Sequence, residues 1–187
     1  MQLAIAEFMR YSAPDPAALV LAITDAQAKL ALAEQASEAV ATVDAAADLA
    51  GMLTTARRER EAVCLLERHL RLASQSSQHE PAGWFWNAYA TALQYCGERE
   101  QAEPHFIMAI QLAHSGGWRR LEALALHHWA RSLTEQRRLA EAEICASQAL
   151  SIRVELGDPR QESSRRALAA IQALREKSTR TSDAGDA

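Results

Sequence analysis

Displacing this chain against itself by 40 residues brings three segments into register, and that repeat limits the fold more than any other feature of the sequence. Leu49, Tyr89 and Trp129 share a column, and Ala50, Ala90 and Ala130 follow them directly. Leu53, Leu93 and Leu133 make the next large apolar column. Further on come Ala62, Ala102 and Ala142, preceded by Glu61, Gln101 and Glu141. The register continues through Leu66, Phe106 and Ala146, then Leu70, Ile110 and Leu150, then Leu72, Leu112 and Ile152. Large and small columns alternate at fixed offsets, so the match is not a by-product of abundant alanine. A unit of this size cannot bury its apolar face alone and must stack on its neighbours.

The period inside each unit is helical. The large-small pair and the leucine beyond it fall at i, i+1 and i+4, which is one face of a helix. Breaks follow at Arg57-Arg58, Cys96-Gly97-Glu98 and Gln136-Arg137. A second apolar stripe then begins, so each unit reads as two antiparallel helices joined by a tight turn. The alanine columns let the two axes approach closely. With 7 Gly, 5 Pro and no alternating β-branched runs, the whole chain is expected to be all-α. Asp44 is expected to cap the first helix of the first unit. Pro81 and Pro159 suit first helical turns, as does Pro104, while Gly116-Gly117 and Gly157 suit helix ends.

The segment Trp86-Asn87-Ala88-Tyr89-Ala90-Thr91-Ala92-Leu93, followed by Gly97, Ala102, Phe106 and Ala109, resembles a tetratricopeptide repeat. The unit from Leu126 to Leu150 keeps Trp129, Ala130, Leu133, Ala142 and Ala149, but has Arg137 where the family has glycine and Ala146 where it has an aromatic residue. The unit from Ala46 to Leu72 keeps Leu49, Ala50, Leu53, Ala62 and Leu66. The family's usual period is about 34 residues, so this chain is similar to a longer-period variant. The resemblance implies a right-handed α-solenoid of three helix hairpins over residues 43–176, closed by a capping helix from Pro159 to Leu174. It also implies a concave groove lined by the first helix of each unit. In register, that face carries Trp84, Asn87, Thr91, Gln94 and Tyr95 from the second unit and His127, Arg131, Thr134 and Glu135 from the third. Asn and Gln amides can bond an extended backbone, Arg131 can hold a carboxylate, and Trp84 and Tyr95 offer anchor surface. The first unit offers only Ala47, Gly51, Thr54 and Thr55. The bland alternatives for Trp84 are a cover over the loop or packing against residues 1–41.

Outside the repeats, residues 1–41 are helix-prone but out of register, and read as an N-terminal helical segment or a degenerate repeat. Pro14 and Pro16 separate a short first helix from residues 17–40, which form either one long helix or a hairpin. Lys177–Ala187 is small and polar, and is expected to be disordered.

No catalytic or metal constellation is legible. The six histidines include no H-x-x-x-H pair, and adjacent His127 and His128 point about 100° apart on a helix. There is no nucleophile elbow, phosphate loop, H-E-x-x-H or dinucleotide fingerprint, so neither an enzyme nor a cofactor is expected. Arg57-Arg58 and Arg137-Arg138 recur on the turn edge, but acids interleave with them and the net charge is -4, which argues against nucleic acid. Three widely spaced cysteines suit reduced thiols. The N-terminus makes a poor signal peptide, and no run of about 18 uncharged apolar residues suggests a membrane span. These features point to a cytoplasmic protein. Its expected work is to hold a protein or peptide partner as an adaptor, chaperone-like protein or regulator. The alternative is an accessory sensor subunit of a transcription or signalling system.

Overall fold

A computed structural model describes residues 7–183, with the backbone alone for 179–183. Among the described residues the protein is all-helical. The helices are α1 (Pro16–Gln35), α2 (Ala39–Thr55), α3 (Glu59–Glu67), α4 (Leu70–Gln75), α5 (Glu80–Cys96), α6 (Arg99–Gly116), α7 (Arg119–Glu135), α8 (Leu139–Glu155) and α9 (Gln161–Asp183).

The turns carry the repeat in the backbone itself. Positive φ occurs at Ser37, Arg57, Gly97, Gly117, Arg137 and Gly157, positions that fall on a common spacing of 20. At each, the following amide donates back to a carbonyl in the last helical turn: Arg58 to Leu53 (2.9 Å), Glu98 to Leu93 (2.9 Å) and Arg138 to Leu133 (3.0 Å). Glu38 to Ala33, Trp118 to Ala113 and Asp158 to Arg153 repeat the pattern. This left-handed cap satisfies carbonyls that the helix end would otherwise orphan. Glycine takes the conformation without strain at position 97 (φ 90°), whereas Arg57 and Arg137 adopt it as L-residues. The position that would continue the series in the first unit, 77, lies in a different loop. There the second helix is broken, with α3 ending at Glu67 and α4 starting at Leu70. His69 sits in the break, its Nδ1 2.9 Å from the Leu65 carbonyl and its Nε2 2.9 Å from Glu34 of α1.

The chain divides into two compact units, Arg10–Leu121 and Glu122–Ala187 with Met1–Met9. In the first, α2 packs against α1, α3 and α5, and α5 packs against α6. The buried columns are those of the repeat: Leu49, Ala50 and Leu53; Ala62 and Leu66; Tyr89, Ala90 and Leu93; Ala102 and Phe106. His105 stacks on Trp86, with centroids 5.3 Å apart and planes 9° from parallel, and adjoins Tyr89 at 4.7 Å. Gly83 of α5 faces Leu121 so closely that a β-carbon would lie 2.5 Å from Leu121 Cδ2. In the second unit α8 packs against α9, with Ala142, Ala146, Ala149 and Ile152 of α8 and Ala167 and Ile171 of α9 buried.

Several boundaries differ from the sequence reading. Residues 17–35 belong to one helix, α1, capped by Asp15, whose Oδ1 accepts from the Ala17 and Ala18 amides at 3.0 Å. Asp44 does not cap a helix: α2 starts at Ala39, so Asp44 lies within it, where burial, then Asp48 and Glu80, raises its pKa. Pro104 is not in a first turn but is the sixth residue of α6. The last helix begins at Gln161 rather than Pro159, because Asp158 first forms a turn: its Oδ1 accepts from the Arg160 amide (2.8 Å) and its carbonyl from the Gln161 amide (3.0 Å). The helical backbone continues through residues 177–183, which the sequence reading placed in a disordered tail; residues 184–187 and the start of the N-terminal stretch lie outside the described residues. One helix among the described residues, α1, is long and apolar enough to cross a membrane by length and composition. It carries Asp25 and Lys29, buries Ile23, Ala26, Leu30 and Ala33, and exposes Val20, Leu21 and Leu32.

Candidate functional site

The stripe of α5 that bears Asn87, Thr91, Gln94 and Tyr95 falls at i, i+4, i+7 and i+8, one face of the helix. From sequence these positions are expected to line an open groove. Asn87 (4% exposed), Gln94 (0%) and Tyr95 (7%) are instead buried. Trp84 is half-buried and its Nε1 donates to Glu80 Oε1 of its own helix at 3.1 Å. Thr91 Oγ1 donates to the Asn87 carbonyl at 2.7 Å, one turn back.

Comparison along the repeat isolates Gln94. Its equivalents are Thr54 and Thr134, which are buried too. Each donates its hydroxyl to the carbonyl four residues back, Thr54 to Ala50 at 2.8 Å and Thr134 to Ala130 at 2.7 Å. A threonine at this position satisfies itself within its own helix. The longer glutamine does not: its Oε1 and Nε2 are both buried without a hydrogen-bond partner, and Asn87 Oδ1 is in the same condition. A buried amide group left unpaired costs about 1–3 kcal/mol.

The C-terminal end of the stripe is engaged by a segment the sequence reading left aside. Arg10 Nη2 and Nη1 donate to the Gln94 and Tyr95 carbonyls at 3.2 Å each, and its guanidinium lies 4.5 Å from the centroid of the Tyr95 ring. The Tyr11 amide donates to Tyr95 Oη at 3.1 Å. Arg57, from the α2–α3 turn, brings a second guanidinium to 5.3 Å from the same ring. Orphan carbonyls at a helix C-terminus and the face of an aromatic ring both favour a cation. Neither Arg10 nor Arg57 belongs to an apolar period, so periodicity could not find them; the recurring Arg57/Arg137 position was the one available hint.

The third-unit residues His127, Arg131 and Glu135 lie in the other compact unit, and there His127 (7% exposed) and Arg131 (4%) are buried as well. His127 Nδ1 is 3.4 Å from Ser164 Oγ, and Ser164 Oγ also accepts from Arg153 Nη1 at 2.8 Å. Arg153 is buried at the end of α8, where its Nη1 also donates to the Arg160 carbonyl at 3.2 Å. Burial, reinforced by Arg153, Arg131 and Arg160, pushes the His127 pKa down to about 3, and the same causes lower His128. Both imidazoles are therefore neutral, which fits packed histidines better than acid–base catalysts. Arg160 pairs with Asp158 at 2.6 Å and holds that carboxyl well below the usual carboxylate range.

On the turn edge, Arg58 pairs bidentately with Glu61 (2.7 Å for both bonds) and Arg138 with Glu141 (2.8 and 2.6 Å). Both pairs are exposed and span i, i+3, so the recurring arginines meet recurring acids rather than an open basic stripe. Among the described residues no group of three or more His, Cys, Asp or Glu could hold a metal ion. No protein-family model matches the chain, and no match was found among curated proteins.

Proposed function

We propose that the chain is a protein-interaction module built from helix hairpins of the tetratricopeptide type, and that it holds an extended peptide along the α5 stripe. The observation that carries this reading is Gln94. Where two equivalent positions hold self-satisfied threonines, this one holds a buried amide with both polar atoms unpaired, and two turns earlier the Oδ1 of Asn87 is unpaired as well. A stability cost maintained at one unit is the mark of a group kept for something other than folding. Primary amides offer a donor and an acceptor together, which is what a peptide main chain requires. The repeat of helix pairs and left-handed caps supports the hairpin part of the reading. Activity without catalysis, and an address in the cytoplasm, go with this reading.

The test uses Gln94→Thr, which installs the residue of the other units. The variant is expected to be at least as stable as the parent, because the hydroxyl can bond the Ala90 carbonyl. It is also expected to lose partners that the parent captures from an extract of its native host and that cross-link to α5. Equal recovery of those partners by the folded variant would remove the α5 stripe from the function.

A further inference from the structure

Residues 10–13 run without regular structure beside the end of α5, and their hydrogen bonds to the Gln94 and Tyr95 carbonyls and to Tyr95 Oη are ones a foreign peptide could make. Arg10 reaches two helix-terminal carbonyls and the Tyr95 ring, and the next amide reaches Tyr95 Oη. Ser12, Ala13 and Pro14 add no hydrogen bond. Tyr11 is 59% exposed. The strap therefore fills the cation-accepting end of the stripe and leaves the Gln94 amide and the Asn87 Oδ1 unpaired, so it is an incomplete occupant.

We propose that the end of α5 is an arginine-reading site, that residues 10–13 occupy it as an internal ligand, and that the partner displaces them with an arginine in an extended segment of its own. The proposal rests on the peptide-binding reading of α5 and names what is read there. Arginine fits for three reasons. Its planar fork spans two neighbouring carbonyls, as Arg10 does at Gln94 and Tyr95. Its flat face lies on Tyr95, where a lysine ammonium offers a single point charge. The carbonyls belong to the last turn of a helix, whose dipole favours a cation. Gly97 caps that turn, and its amide also donates to the Gln94 carbonyl at 3.0 Å, so the guanidinium shares that carbonyl with the cap and reaches the Tyr95 carbonyl beside it.

The strap competes at high effective concentration because it is part of the same chain; for a short tether this is of millimolar order. A peptide in solution must overcome it. Weakening the strap should therefore tighten binding of a peptide that uses the same contacts, the opposite of what removing a binding residue does.

The probe is a synthetic peptide reproducing residues 7–15 of this chain, labelled and titrated to millimolar concentration against the full chain. It should bind the Arg10→Ala chain about 10-fold more tightly than the unsubstituted chain, as expected when a tethered competitor is removed. Changing the peptide's own arginine to Ala should abolish binding, and changing it to Lys should weaken it several-fold. Those changes leave the protein untouched, so misfolding cannot mimic them; Tyr95→Phe in the chain, which keeps the ring, should lose only the contribution of the hydroxyl. Equal affinity for the two chains overturns the internal-ligand proposal, as does no binding to the Arg10→Ala chain at millimolar peptide. Indifference to the peptide's arginine overturns the arginine reading. A chain that fails these tests yet captures partners in a Gln94-dependent way retains the interaction-module reading and loses this one.

Discussion

Lowering the pH from 7 to 5 should destabilise the second compact unit through His127. In the folded chain its pKa is held down to about 3 by burial and by Arg153, Arg131 and Arg160, against an ordinary value of 6.5. Above pH 6.5 the imidazole is neutral in both states and its full contribution to stability is present. Below 6.5 the unfolded chain takes up a proton that the folded chain refuses until the pH nears 3. Stability then falls by about 1.4 kcal/mol per pH unit. At pH 5 the loss is about 2 kcal/mol, a large share of a typical folding free energy. His128 is shifted the same way, which steepens the slope, and His105 adds a smaller contribution in the first unit through burial alone. Asp44 opposes them, since its raised pKa favours the folded state as the carboxyl protonates. Glu141, Glu143 and Asp158, all lowered, lose their contributions as the pH falls through the carboxylate range, mostly below this window. Urea midpoints at half-unit steps from pH 7 to 5 would measure the slope for the parent and for His127→Gln. The variant starts less stable, but its slope should be lower by nearly one proton. Parallel slopes would refute the account of His127 as a histidine held neutral.

Arg137→Gly should raise stability by about 1 kcal/mol by relieving the left-handed backbone at φ 64°; a lowered thermal midpoint would contradict the cap. Arg57→Gly should gain less, because it also removes the guanidinium from Tyr95. Ala102→Leu should cost about 1–3 kcal/mol by overpacking a site with no exposed surface, and an unchanged midpoint would remove the close α5–α6 approach. Gly83→Ala should cost a similar amount by forcing the buried Leu121 aside, visible as a lower midpoint in thermal melts.

The 40-residue period was enough to locate the helix pairs, because large and small columns report burial directly and burial has the helical period. Breaks at 57, 97 and 137 were legible for the same reason, although two of the three lack glycine. The misplaced boundaries share a cause. Residue type alone marks Asp44 as a cap and Pro159 as a first-turn residue, whereas these helix ends close through backbone bonds that form with arginine, serine or glycine at the left-handed position. The break at His69 was invisible because it depends on a contact with Glu34, 35 residues away in sequence. The site was half legible. Register puts Asn87, Thr91, Gln94 and Tyr95 on one face of α5, but polar side chains suggest solvent, whereas Asn87, Gln94, His127 and Arg131 are buried. Polarity in sequence cannot distinguish an exposed amide from a buried one.

The repeat is most informative where its units disagree. A column that keeps one chemistry, such as Ala62, Ala102 and Ala142, answers to packing, and all three alanines have no exposed surface. A column that changes chemistry while staying buried answers to something local. At 54, 94 and 134 the change is from a hydroxyl that bonds its own helix to an amide that cannot. At 57, 97 and 137, an exposed column, two units carry arginine and the middle one glycine, and Arg57 lies beside Tyr95, at the end of the same stripe as Gln94. Two departures from the other units, Gln94 and Gly97, thus fall at one end of α5, and the strap that carries Arg10 meets the chain there too. Folding alone favours threonine at 94 and glycine at 57. The residues present instead supply an amide that packing leaves unpaired and a second guanidinium that lies against Tyr95.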